Sequence, residues 1–369
     1  SIRRQRQMCI RDRCKYHPMI GGSAIHVKNV AEKLARKHDV TVFVPNPIKD
    51  LPAEEVINEV KVRRFRSFAP SDSYYFSTSL SSAVRRTRAE IVHIHGYYDL
   101  TSPMTVLSKN KTTRCVFTLH STGSSSEIRK MLRFPYNLVM RRIMQRVDRI
   151  ICVSNFELKY YARLLNLPRD KLTLIPNGVP NSFRKKDGVK AHPPILLSAG
   201  RLEKCKGYQR VLRAFKMFRE LFPQVGMRLY ILGKGPYESS LVRESQKLGI
   251  RDHVHFLGWR LGEQYASLLR ASSIFILLSD YESQSIAVSE ALYAGTPAVV
   301  SNNSALSEYV QGGYALGVDD PDDAYEVATK INLLYSNPQT CKIEDYRTIT
   351  WEEVVEKTTK VYDLSLIHI

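Results

Sequence analysis

Ten short apolar runs punctuate this chain, at residues 40–44, 91–94, 115–119, 149–153, 172–175, 195–199, 228–232, 254–256, 274–278 and 298–300. Stretches of helical character, such as 24–37, lie between them. Apolar segments of strand length suit strands buried on both faces, as in parallel sheets covered by helices. The alternation predicts an α/β protein of two successive doubly wound domains. A length of 369 residues accommodates both. The break is expected within 176–192, which is rich in Pro, Gly, Asn and Lys and lacks an apolar period. No run approaches the roughly 18–20 apolar residues that span a bilayer.

Charge separates the two halves. Of the net +19, residues 1–180 carry +18 and residues 181–369 carry +1. Such asymmetry points to an anionic partner for the first half: nucleic acid, an acidic membrane or a phosphorylated substrate. The six cysteines form no close CxxC pair and have no histidines at metal spacing, so neither a structural zinc nor a disulfide framework is expected. A reducing cytosol fits that usage.

Both ends look foreign to the pattern. Residues 1–14 (SIRRQRQMCIRDRC) show no strand or helical period and hold five arginines against one aspartate. MCIRDR and the closing SLIHI resemble translated sequencing-adapter read-through, so 1–14 and 364–369 are expected to be non-native and outside the fold. The first strand is then expected to be missing. Residues 15–180 still carry +14 without them.

In doubly wound sheets ligands bind beyond the carboxyl ends of strands. Gly21-Gly22-Ser23 opens a helix, where backbone N–H groups can approach an anion, or can form a plain tight turn. His95 and His120 each end an apolar run, and His93 shares the strand with His95. A core role is ordinary for one histidine; two at neighbouring strand ends point to at least one facing a substrate. GRLEKCKG (200–207) follows a strand: Gly200 permits a sharp turn, and Arg201 and Lys206 can meet one phosphate. Gly233 and Gly235 form another glycine turn after a strand. The strongest signal is Glu282 and Glu290 in DYESQSIAVSEALYAGTP, with Ser283 and Ser285 available as N-caps. Two carboxylates there can grip two diols, and free N–H groups at the helix start suit phosphates between them. The ligand so described is a nucleotide sugar.

These motifs, in this order, resemble the retaining glycosyltransferases of the GT-B fold, specifically the family-4 group. The resemblance runs from about Tyr16 to Leu364. Its carriers are Gly21-Gly22 after HPMI, His120, DRIICVSNFE (148–157), IPNGV (175–179), GRLEKCKG, HVHFLGW (253–259), Glu282 with Glu290, and Trp351-Glu352. It implies two Rossmann-like domains facing across a cleft: 15–178 for the acceptor, 179–345 for the donor. A helix at 346–363 crosses back to the first. Arg201 and Lys206 then bind the donor diphosphate, Glu282 the transferred sugar and Glu290 the ribose. His120 lies beside the sugar, completing a catalytic set of His120, Glu282, Arg201 and Lys206. The implied donor-binding set adds Gly21, Gly22, Gly200, Gly233, Gly235, Phe256, Leu257, Ser285 and Ile286. No metal and no pyridoxal phosphate are expected. The sequence departs from the family at Gln284-Ser285, where Phe-Gly is common.

The expected reaction moves a hexose-type sugar from a UDP- or GDP-sugar to an acceptor hydroxyl, with retention. The family pattern supplies no carboxylate nucleophile at a fixed position, so same-face attack is expected. Arg129, Lys130, Arg133, Arg141 and Arg142, interleaved with apolar residues in 127–147, suit an anionic membrane surface and a lipid-linked or glycan acceptor. Pro135 is expected to break or kink that segment, and residues 61–66 with Arg85-Arg86 to extend the patch. The protein is accordingly expected in the cytoplasm, peripheral on the inner membrane face. A GT-B epimerase or phosphorylase is a rival reading. A basic nucleic-acid-binding protein is another, but it would leave Glu282 and Glu290 unexplained, so no nucleic-acid partner is expected.

Overall fold

The computed structural model describes residues 6–11, 16, 21–46, 51–71, 74–120, 127–185 and 190–367. Two compact units result: one ends at Gly178 and takes up the C-terminal segment from Trp351, and the other spans Val179–Thr350.

The strands of the first unit are β1 (Gln7–Arg11), β2 (Asp39–Asn46), β3 (Glu54–Ile57), β4 (Val60–Arg66), β5 (Phe68–Ser71), β6 (Tyr74–Phe76), β7 (Ile91–His95), β8 (Arg114–Thr118), β9 (Arg149–Cys152) and β10 (Leu172–Leu174). Among the described residues β5 and β6 pair with each other, and the rest form one sheet in the order β10-β9-β8-β7-β1-β2-β4-β3. All its pairings are parallel except β3 with β4.

Here the expectation of a missing first strand is corrected. Gln7–Arg11 is the central strand, with Met8 in register with Val40 on one side and Ile91 on the other. Met8, Cys9 and Ile10 are buried. A strand between two parallel neighbours needs apolar side chains only over its short paired length, and three suffice here. The tail is corrected likewise. The last helix runs Trp351–Ile367, starting later than the expected 346 and taking in residues 364–367. Within it Ser365 is buried and donates to the Val361 carbonyl at 2.8 Å. This helix packs on helix Gly22–Ala35, where Lys33 meets Glu352 at 2.5 Å.

The second unit contains β11 (Ile195–Ala199), β12 (Arg228–Leu232), β13 (Val254–Gly258), β14 (Ile274–Leu277), β15 (Ala298–Ser301) and β16 (Ala315–Val318). They form a fully parallel sheet in the order β13-β12-β11-β14-β15-β16. Helix Tyr208–Leu221 illustrates its packing. Val211, Leu212, Phe215 and Phe218 recur at helical spacing and are buried in one cluster with Ile231 and Ile276. Each such side chain contributes about 1.5–3 kcal/mol on burial. Chain direction across the sheet reverses between β11 and β14, and in the first unit between β1 and β7. Those are the switch points where such sheets place ligands.

Helix Glu127–Met144 runs through Pro135 without a break. Residues 61–66 belong to β4, whose bases are partly neutralised: Lys61 meets Asp39 at 2.9 Å, Arg63 meets Glu54 at 2.7 Å, and buried Arg64 pairs with Glu55. Alternation along a strand sends Lys61 and Arg63 outward while Val60 and Val62 are buried.

Candidate active site

In the second unit the loops after β11 and β14 leave adjacent strands at the switch point. The first runs through Gly200, Arg201 and a 3₁₀ turn, Lys204–Lys206, to Gly207, which precedes helix Tyr208–Leu221. Gly207 has φ +74°, and a Cβ there would lie 1.9 Å from the Leu278 carbonyl oxygen at the end of β14. Only glycine lets the two loops approach so closely. A backbone bond from Asp280 N–H to the Cys205 carbonyl, 2.9 Å, ties them further.

That approach brings Lys206 to Glu282. Lys206 Nζ lies 2.6 Å from Glu282 Oε1, and Ser279 Oγ donates to the same oxygen at 2.9 Å. The Glu282 backbone N–H donates to Ser304 Oγ at 2.9 Å, so the residue is held at both ends. Burial disfavours the Lys206 ammonium, but the Glu282 carboxylate more than offsets this, and the lysine pKa lies above its usual value. Arg201 is half-buried and pairs with Glu203 at 2.8 Å.

The loops after β12 and β13 join the same edge. A Cβ on Gly233 would lie 1.8 Å from the Gly200 carbonyl oxygen, and one on Gly235 2.3 Å from that of Leu202. Backbone bonds from Gly200 N–H to Leu232 O (3.0 Å), Leu202 N–H to Lys234 O (3.1 Å) and Gly233 N–H to Gly258 O (2.8 Å) stitch the three turns together. Gly200, Gly233 and Gly235 thus meet, and half-buried Phe256 and Leu257 end β13 beside them.

Ser285 caps helix Ile286–Tyr293, accepting from Val288 N–H at 3.4 Å; Ser283 does not act as its cap. The Ser285 backbone has φ +79°, a region that favours glycine, and Tyr309 OH holds it by donating to its carbonyl at 3.2 Å. This explains physically why Gly suits that position. One and a half turns on, Glu290 is buried and faces Tyr265; burial pushes its carboxyl up to about 8, against a smaller opposite pull from the Tyr265 hydroxyl.

In the first unit, His93 is a structural residue. Its Nδ1 contacts Tyr362 OH and its Nε2 contacts Thr118 Oγ1, each at 2.7 Å. His95 ends β7, His120 lies two residues beyond the adjacent β8, and His95 Nδ1 lies 3.2 Å from His120 Nε2. His120 has a left-handed backbone, φ +52°. A third ring, His26, was not singled out from the sequence; its Nδ1 lies 2.7 Å from Asn177 Oδ1. The available signal was its place on the buried face of helix Gly22–Ala35, among Ala24, Val27, Val30 and Leu34. Burial lowers the pKa of His26 to about 4 and holds those of His93 and His120 well below the usual histidine value. Gly21 precedes the same helix and Gly22 opens it; the space where a Gly22 side chain would project is open.

The basic candidates all map to helix Glu127–Met144. The side chains of Arg129 and Lys130 lie outside the described residues. Arg133 stacks its guanidinium 4.7 Å from the centre of the Tyr98 ring, and Arg141 and Arg142 are exposed in the last turn.

Comparison with known proteins interprets this geometry. Residues 20–183 match the family described as Glycosyltransferase Family 4, and residues 181–349 match Glycosyl transferases group 1. The chain belongs to the group 1 glycosyltransferases. A relative in this family is an uncharacterised glycosyltransferase of Methanocaldococcus jannaschii, 26% identical, with 95% of this chain and 97% of the relative aligned. Another is the alpha-monoglucosyldiacylglycerol synthase of Streptococcus pneumoniae, 24% identical over 80% of this chain and 71% of the relative. HepE of Anabaena, solved in complex with UDP-glucose, shares the fold with a TM-score of 0.75, covering 98% of this chain and 100% of that one at 16% identity. The GT-B class of two Rossmann-like domains and the transferase activity follow from membership of the group 1 glycosyltransferases.

Proposed function

We propose that this group 1 glycosyltransferase transfers a hexose-type sugar, with retention, from a UDP- or GDP-sugar to an acceptor hydroxyl of a lipid-linked glycan or glycolipid. The observation that carries the donor side is the Lys206–Glu282 pair, with Arg201 in the same loop after β11, at the switch point of the second sheet. A cation pair there neutralises a diphosphate, while Glu282 and Glu290 accept hydroxyl hydrogens from sugar and ribose. The stitched turns at Gly200, Gly233 and Gly235, with Phe256 and Leu257, frame the base, and the helix start at Ser285 and Ile286 offers N–H groups to phosphate. The solved relative that holds UDP-glucose supports this donor class.

As the glycosidic bond lengthens, negative charge builds on the departing phosphate and Arg201 and Lys206 stabilise it. No carboxylate nucleophile is assigned to the opposite face, so the acceptor attacks on the same face and the leaving phosphate takes its proton. His120, just beyond the carboxyl end of β8, and Gly21 and Gly22, at the start of helix Gly22–Ala35, are the first unit's contribution. In this reading the two bases do the work for which other transferases use a metal.

The membrane side rests on helix Glu127–Met144. Phe134 is 79% exposed, and Leu138 and Val139 are also exposed, beside Arg141 and Arg142. Exposed apolar and basic residues on one helix suit insertion at an anionic surface. No helix among the described residues is long and apolar enough to cross a membrane. The glycolipid-synthase relative supports a lipid acceptor, and the protein would work at the cytoplasmic face of the membrane.

A thermal-shift screen against UDP- and GDP-sugars tests the donor: one nucleotide sugar should stabilise the protein, and indifference to all would overturn the reading. Liposome co-sedimentation should show preference for anionic lipid, weakened by Phe134→Glu. Equal partition to neutral vesicles would count against the membrane role.

A further inference from the structure

The geometry points to a transition-metal site in the first unit, formed by His26, His95 and His120, that binds Zn²⁺ or a similar borderline cation through three imidazole nitrogens. One ring nitrogen from each residue lies within 4.8 Å of those of the other two. His95 Nδ1 and His120 Nε2 are 3.2 Å apart, a contact that an ion would replace. Tetrahedral zinc with metal–nitrogen bonds of about 2.0–2.1 Å sets its ligand atoms about 3.3 Å apart. One edge of the coordination polyhedron is therefore in place, and the third nitrogen has at most about 1.5 Å to close.

The surroundings match a metal site in two further respects. His26 is oriented by Asn177: with Oδ1 accepting, the ring proton sits on Nδ1 and the Nε2 lone pair is left for the ion. Metal-bound histidines regularly give their second nitrogen to such an outer partner. Burial is also graded. His26 and His95 are buried while His120 is half-buried, so an ion can enter from the His120 side and keep a water there as fourth ligand. An all-imidazole set selects zinc, cobalt, nickel or copper over magnesium or calcium. His93, with both ring nitrogens engaged, is excluded as a ligand. The site shares His120 with the proposed catalytic set, whereas Lys206, Glu282 and Glu290 lie in the other unit, so metal binding and donor binding are read out separately.

The test is a Co²⁺ titration of the full chain followed by visible absorption, with Zn²⁺ as competitor. One equivalent should give intense bands of a four-coordinate ion, displaced by Zn²⁺. Affinity should fall at least about tenfold in His26→Ala and in His95→Ala, and persist in His93→Gln. Because a core variant can misfold, the unsubstituted Zn²⁺ protein should also be examined by X-ray absorption, which should show three imidazoles and no sulfur. Absence of one-equivalent binding, a sulfur shell, or undiminished affinity in folded His95→Ala would overturn the proposal.

Discussion

Lys206 and Glu282, 76 residues apart in the chain, meet at 2.6 Å because the loops after β11 and β14 close on each other through Gly207. The pair is partly buried, so each group is the other's main electrostatic partner. Removing one leaves the other poorly compensated. Lys206→Ala or Glu282→Gln should each cost about 1–3 kcal/mol. The double variant should cost less than their sum by about 0.5–2 kcal/mol. Urea unfolding of the four proteins measures the cycle. In the proposed mechanism both single variants also lose sugar transfer while remaining folded.

The position of β1 is open to a direct check. Ile10 is fully buried between β2 and β7. Ile10→Ala should destabilise by about 2–5 kcal/mol, the range for deleting a large core side chain. An unchanged denaturation midpoint would show that residues 7–11 do not form the central strand.

Ser285 stands where glycine is favoured, at φ +79°. Ser285→Gly should relieve about 1–2 kcal/mol of backbone strain, lose about 0.5–1 kcal/mol to the freer unfolded chain, and lose a few tenths of a kcal/mol with the Oγ cap. A small net gain of about 0–1 kcal/mol follows. Ser285→Ala keeps the strain and removes the cap to Val288, so it should destabilise. Thermal unfolding of the two variants separates strain from capping by opposite signs.

Glu290 should govern part of the pH dependence of stability. Its folded pKa, about 8, lies above the ordinary 4.5, so the folded protein holds the proton more tightly than the unfolded chain. The stabilisation is complete below about pH 4.5 and is lost as pH rises through about 8. Glu290→Gln cannot ionise and should lose none of it. Urea midpoints should therefore fall less for the variant than for the parent between acid and mildly alkaline pH; parallel curves would contradict the assignment.

Much of this fold was legible because parallel strands buried on both faces leave apolar runs in the sequence. All ten runs fall on strands β2, β7 to β10 and β11 to β15, four of them running one residue past the strand end. β1 was not legible: its three apolar residues are flanked by arginines, and only its two neighbours, β2 and β7, give it a place. β4 was read as a basic patch because its exposed face carries Lys61 and Arg63 while its buried face carries valines. The glycine turns, Glu282, Glu290 and the strand-end histidines stood out because residues that follow apolar runs fall at one edge of such a sheet.

Chain order alone thus determined the α/β class, the two-domain division and the residues worth inspecting, since local periodicity and strand-end position are sequence properties. Tertiary structure decided the rest. It separated His93, fixed between Tyr362 and Thr118, from His95 and His120, which face each other. It added His26, paired Lys206 with Glu282, and made residues 7–11 the centre of a sheet. Each of these depends on which distant segments become neighbours, and hydrogen bonds and burial act through space, not along the chain.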